Sequence, residues 1–176
     1  MIRVNVSIEN VPADFSQRTE RAIRSIIDRI SALGQRVAKA RAPRDTGQLI
    51  NSIQTIREFR SPIFVGGIET NLPVAIVMEE GRKPGSFPPL EPIIAWVRRH
   101  RASFNIKSGK GSKARIRGIA FVIARKIQKR GIPSNPRFDK RFFFRKAGKA
   151  MELKFKSQID ALGLQIQQAW ESGGTA

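Results

Sequence analysis

Phe15-Ser-Gln-Arg-Thr-Glu-Arg-Ala-Ile-Arg-Ser-Ile-Ile-Asp-Arg-Ile-Ser-Ala-Leu-Gly-Gln-Arg-Val-Ala38 is the stretch that decides the fold class. Phe15, Thr19, Ala22, Ile23, Ile26, Ile27, Ile30, Leu33, Gly34, Val37 and Ala38 recur at steps of three and four. That spacing lays one apolar stripe along a helix of about seven turns. Arg18, Arg21, Arg24, Asp28, Arg36 and Lys39 fall mostly off the stripe, toward water. Pro12 with Asp14 and Ser16 suits the start of such a helix, and Pro43 stops it.

Before the helix, Ile2, Val4, Val6 and Ile8 alternate with Arg3, Asn5, Ser7 and Glu9, the period of a half-buried strand. The same alternation argues against a signal peptide, which needs a continuous apolar core. After it, Asp45 or Thr46 is placed to cap a short helical turn carrying Leu49, Ile50 and Ile53. Two strands are predicted over 54–59 and 63–69, joined by Arg60-Ser61-Pro62 as an antiparallel hairpin. Residues 71–81 read as a short capped helix, although their β-branched side chains leave a strand open. Pro84, Pro88 and Pro89 with Gly81 and Gly85 make 82–89 a loop.

A helix is predicted from Leu90 to about Arg101, with Ile93, Trp96 and Val97 inward. Phe104 to Arg115 reads as the least structured stretch, its Lys107–Lys113 part a flexible basic loop. Ile116, Ile119, Ala120, Ile123 and Ile127 mark another helix, and 132–137 a second loop. From about Phe142, the positions Ala147, Met151, Phe155, Ile159, Leu162, Ile166 and Trp170 carry a long closing helix that stops at Gly173-Gly174. The fold class is α+β: a small, mostly antiparallel sheet packed with two long helices and shorter ones, plus a basic flexible loop. At about 150 residues per domain the chain reads as a single domain, 1–176, with a basic excursion at about 98–149.

That excursion holds the charge. The chain carries 33 Lys and Arg against 14 Asp and Glu, a net charge of +19. Between Arg98 and Lys149 lie eighteen of those cations and one acid, Asp139. A field of one sign destabilises the compact state by self-repulsion until a polyanion or an acidic partner neutralises it. A merely solvated basic face is the blander alternative. The residues placed for contact with nucleic acid or an acidic partner are Arg98, Arg99, Arg101, Lys107, Lys110, Lys113, Arg115 and Arg117.

Catalytic motifs fail one after another. The chain has no cysteine, so disulfides, thiolate nucleophiles and Cys-based metal sites are excluded. His100 is the only histidine, and Arg98, Arg99 and Arg101 beside it repel a metal ion. Asp45-Thr-Gly is the tripeptide of aspartic proteases, but the apolar strand that must precede it is missing. Ser108-Gly-Lys-Gly-Ser-Lys lacks the leading glycine of a phosphate loop and has Gly111 where a hydroxyl residue belongs. Glu79, Glu80 and Glu91 have no partner base or nucleophile, and such residues more often pair with Arg or cap helices. Phe142-Phe-Phe between Arg141 and Arg145 could stack bases, though adjacent aromatics on a helix point different ways and at least one belongs in the core. The expectation is no enzyme, no cofactor and no metal. With no window near 18 consecutive apolar residues, a spanning helix is not expected either.

Ala42-Pro-Arg-Asp-Thr-Gly-Gln-Leu-Ile-Asn-Ser-Ile resembles the signature that follows the first long helix in the neck, or head–tail joining and tail completion, proteins of long-tailed bacteriophages. Ala75-Ile-Val-Met-Glu-Glu-Gly-Arg is similar to the family's Glu-x-Gly-Thr/Arg segment, and Pro88-Pro-Leu-Glu-Pro-Ile-Ile-Ala-Trp-Val-Arg-Arg to a Pro-Pro, short helix, Trp-Val-Arg variant. Ile119–Ile127, Arg130-Gly and Arg141-Phe-Phe-Phe-Arg-Lys-Ala resemble its closing pattern of helix, glycine turn and aromatic pair. The pieces run in order over roughly 15–155; Leu72-Pro-Val in place of a tyrosine and the long 134–140 segment depart from it.

The resemblance implies a structural role. It implies a homo-oligomeric ring, commonly a hexamer, joining portal adaptor or connector proteins to tail terminator or tail-tube proteins, with genomic DNA passing through the lumen and no membrane partner. It implies a virion (neck or tail) location, with assembly in the host bacterial cytoplasm. The motif and interface residues carried over are Pro43, Thr46, Gly47, Leu49, Ser52, Glu79, Gly81, Phe143 and Phe144. The competing expectation is a basic nucleic-acid-binding protein acting outside a virion, associated with ribosomes or the nucleoid.

Overall fold

The computed structural model describes residues 1–8, 17–60, 63–133 and 142–171. The expected start of the first helix at 12–16, the 61–62 turn, most of the loop before the phenylalanines and Gly173-Gly174 lie outside these residues, as does the side chain of Trp170. The order is β1 (Ile2–Ile8), α1 (Gln17–Arg41), α2 (Gln48–Ser52), β2 (Gln54–Arg60), β3 (Ile63–Thr70), α3 (Pro73–Glu80), α4 (Leu90–Arg99), a 3₁₀ turn (Arg101–Phe104), α5 (Ser112–Arg130) and α6 (Phe143–Glu171). The class is α+β.

Where the sequence suggests one domain, contacts gather the chain into two compact units: Met1–Glu79 with Asn135–Ala176, and Glu80–Ser134. The basic excursion does not follow that boundary. Its members from Arg98 to Arg130 belong to the second unit, whereas Arg145, Lys146 and Lys149 lie on α6 of the first. A run of charge continuous in sequence is therefore divided between the two units.

In the first unit the sheet has the order β1-β3-β2 and is antiparallel throughout, with Val4 opposite Ile68 and Ile56 opposite Gly67. β3 is buried along most of its length because it is central. α1 lies across it at Gly66, where an added Cβ would run into Ile27 Cγ2 and Ser31 Oγ. α1 and α6 pack closely at Gly34, where a Cβ would meet Met151. The predicted stripe does what its period requires: Ile26 and Ile30 join Ile68, Phe143, Phe144, Ala147 and Met151 in the main core, while Ile23 and Ile27 close on Phe64. On the rim, Arg24 pairs with Glu20 at 2.6 Å and lies over the Phe59 ring, and Arg57 pairs with Asp28 at 3.0 Å.

The second unit is a small helical layer. Ile94 and Val97 of α4 pack with Ile106, Ile116 and Ala120. Its two ends are pinned by paired backbone hydrogen bonds between Arg82 and Ile132, at 2.9 and 2.8 Å, and by Gly85 N–H donating to Gln128 O. Gly131 must be glycine there: its φ is 67°, and a Cβ would strike the Arg82 carbonyl.

Three local expectations are corrected. α5 starts at Ser112 rather than near Ile116, shortening the loop to 105–111. Gly111 turns the chain at φ 85°, and Lys and Arg are good helix formers whose charges point to water. Trp96 is 38% exposed, because the buried side of α4 runs through Ile94 and Val97. The N-cap of α2 is Gly47 at φ 82°, with Thr46 Oγ1 only accepting from Gln48 N–H at 3.4 Å.

Candidate docking surfaces

Most of the residues carried over from the family motif meet in the first unit. Glu79, at the end of α3, is buried, and its two carboxylate oxygens accept from Phe144 N–H at 3.2 Å and Arg145 N–H at 2.9 Å. A carboxylate at a helix N-terminus satisfies donors that have no intrahelical partner and offsets the positive end of the dipole. The cap is long-range: α3 anchors the start of α6. Ser52 Oγ donates to Leu49 O at 2.8 Å and lies 2.7 Å from Thr70 Oγ1, which also accepts from Leu72 N–H. This ties α2 to the end of β3. Leu49, Phe143 and Phe144 are buried around the same core, Pro43 is half-buried beyond α1, and Gly81 leaves α3 at φ 83°.

Of the three adjacent phenylalanines, two go into the core, as expected of at least one. Phe143 and Phe144 are sealed in the core, and Phe142 is half-buried with the Arg145 guanidinium 4.9 Å above its ring. The Asp45 turn sits exposed between two helices with no apolar strand before it. Among the described residues no group of three His, Cys, Asp or Glu side chains is placed to hold a metal. His100 closes α4, its Nδ1 3.0 Å from Trp96 O; since a carbonyl only accepts, Nδ1 carries the proton.

The expected contact residues all fall in the second unit. It holds fourteen Lys and Arg against Glu80 and Glu91, a net +12. Arg98, Lys113 and Arg117 share a cleft of about 540 Å³ between α4 and α5 with Glu91. Lys107 and Lys110 are exposed on the loop, Arg99 and Arg115 are exposed on their helices, and Arg101 donates to Ser108 Oγ at 3.1 Å. α5 carries seven cations and no acid, with Phe121 and Val122 exposed midway.

A second basic feature escaped the sequence reading. In the first unit, Arg36 and Arg41 of α1 and Lys146 and Lys149 of α6 rim a shallow groove of about 760 Å³ floored by Val37, Ala150 and Leu153. Its residues are more than a hundred positions apart; only the antiparallel packing of α1 on α6 joins them. None of the described helices is long and apolar enough to cross a membrane. No family model matches this chain, and neither the curated proteins nor the solved structures contain a match for it.

Proposed function

We propose that this chain is a structural virion protein of the neck type. It forms a homo-oligomeric ring, about six copies, between the connector and the tail tube of a long-tailed bacteriophage, and performs no catalysis. The observation that carries the reading is where the motif residues fall. Ser52 with Thr70 ties α2 to β3, Glu79 ties α3 to the start of α6, and Leu49, Phe143 and Phe144 share one buried core cluster. A motif whose pieces run in order along the chain and hold helices to one another and to the sheet is what a passive assembly unit needs. A ring contact is heterologous, so each copy must present two different surfaces; the charged second unit and the first unit supply distinct candidates. Lys107, Lys110 and Lys113 face either DNA phosphates or an acidic connector surface, contacts that carry no sequence information.

Electron microscopy of particles produced without this protein tests the reading. Separated heads and tails are expected; normal tailed, infectious particles overturn it. The net +12 of the second unit favours one alternative, nucleic-acid binding outside a virion. That reading predicts tight binding of free duplex or RNA that falls steeply with salt. Absence of such binding in a protein that joins purified tails excludes it.

A further inference from the structure

The exposed side of α6 carries one stripe with its charges in a definite order. Lys146 and Lys149 stand at its start, Leu153, Lys156, Asp160 and Leu164 in the middle, and Glu171 at its end. The spacing of three, four or seven keeps these residues on one face. Leu153 is 65% and Leu164 60% exposed, large apolar side chains left in water on a helix whose opposite side is packed. The charges also run against the helix itself. A helix favours acids at its N-terminus and bases at its C-terminus. α1 obeys, with Glu20 in its first turn and Lys39 and Arg41 in its last. α6 has no acid in its first turn and no base in its last, and Glu171 sits at its negative end.

We infer that α6 pairs with α6 of a second copy, antiparallel, across a twofold axis. Only that direction makes the stripe self-complementary. Leu153 then lies opposite Leu164 of the second copy, Lys146 opposite Glu171, and Asp160 beside Lys156, each contact occurring twice. A parallel in-register pair would set Lys against Lys and Glu against Glu. The antiparallel pair also relieves the opposition at the C-terminus, where Glu171 faces the negative end of the dipole and receives Lys146 of the second copy; the N-terminus is already capped by Glu79. Arg36 and Arg41, beside Lys146 and Lys149 in the groove, add to the positive end that receives the acidic end of the other copy. The stripe runs about 37 Å along the helix axis. The pairing is independent of the neck reading: it joins two copies through one isologous patch, whereas a ring needs two other, heterologous ones.

The chain has no cysteine of its own, which makes the register directly readable. Purified Leu153→Cys and Leu164→Cys chains, mixed and oxidised, should give cross-linked dimers joining one of each, with little product from either alone. By sedimentation across a wide concentration range the unsubstituted chain should show a monomer–dimer equilibrium. Lys146→Glu/Lys149→Glu and Asp160→Lys/Glu171→Lys chains should each self-associate at least about tenfold more weakly, yet pair with one another on mixing. All these sites are on the surface, so unchanged circular dichroism is expected. A chain that stays monomeric at every concentration, half-reversed variants that associate as well as the original, or Leu153→Cys cross-linking to itself as readily as to Leu164→Cys overturns the inference. None of these results bears on particles made without the protein, so the two ideas fail separately.

Discussion

The two units solve the same problem, holding a strongly cationic chain together, in opposite ways. In the first, nineteen cations face twelve acids, several placed where a cation or a helix end needs them: Arg3 reaches Glu69 at 2.9 Å, Arg24 reaches Glu20, Arg57 reaches Asp28, and Glu79 caps α6 from inside the core. In the second, two acids stand against fourteen cations, and a small layer around Val97 and Ile116 must hold them at close range. Packing and pairing decide the first unit; unrelieved like charge weighs on the second. Excess charge of one sign within a fold destabilises it by self-repulsion, and that load falls on the second unit.

Deleting packing from the first unit should give the largest effect. Phe143→Ala removes a fully buried ring from the joint between α3 and α6, and about 3–5 kcal/mol of stability should go with it. Denaturant unfolding followed by hydrogen exchange in α1, β3 and α6 measures it. A loss below about 1 kcal/mol would mean the joint is not where that unit is held. Glu79→Gln should cost less, about 1–3 kcal/mol, since the neutral amide still offers one acceptor to Phe144 and Arg145 but adds buried donors without partners. The loss should appear first as fraying at the start of α6.

The two close glycines separate helix–sheet from helix–helix packing. Gly66→Ala should cost about 1–3 kcal/mol, because the new methyl meets Ile27 and Ser31 where neither α1 nor β3 can give way easily. Gly34→Ala runs into the unbranched side chain of Met151, with Ile68 Cγ2 only in ordinary contact, and gains about 1 kcal/mol of helix propensity, so its net loss should be smaller. Comparing the two midpoints of unfolding checks the order; a reversed order would place the tighter contact between the helices.

The elements of the first unit were legible because their signals are local. The α1 stripe, the alternation in β1 and the 54–70 hairpin each follow from a period within one window. The site was less so. Glu79 could be read as a capping residue, but not as the cap of a helix that starts at Phe143, and the Arg36–Lys149 groove has no sequence signal at all. Ser112-Lys-Ala-Arg115 reads as loop because it directly follows Lys107-Ser-Gly-Lys-Gly111, yet Gly111 at φ 85° ends the break and these four residues open α5. Likewise the charge run from Arg98 to Lys149 is continuous only along the chain; the fold divides it between units.

The smallest expected change is the one that sharpens the contrast most. Replacing Lys107, Lys110 and Lys113 by Glu shifts the second unit by six charges, from +12 to +6. These side chains are exposed, so stability should move by no more than about 0.5 kcal/mol. Its salt dependence should move further. At low ionic strength like charges interact over a Debye length of about 30 Å, against about 10 Å at 0.1 M. Added salt should therefore raise hydrogen-exchange protection in α4 and α5 of the original chain while leaving α1 almost unchanged. The triple variant should show a flatter response. If the same variant then assembles fewer complete particles although its fold is intact, the lysines act on a partner. If assembly is untouched, they serve solubility alone, and the partner contact must lie on another face.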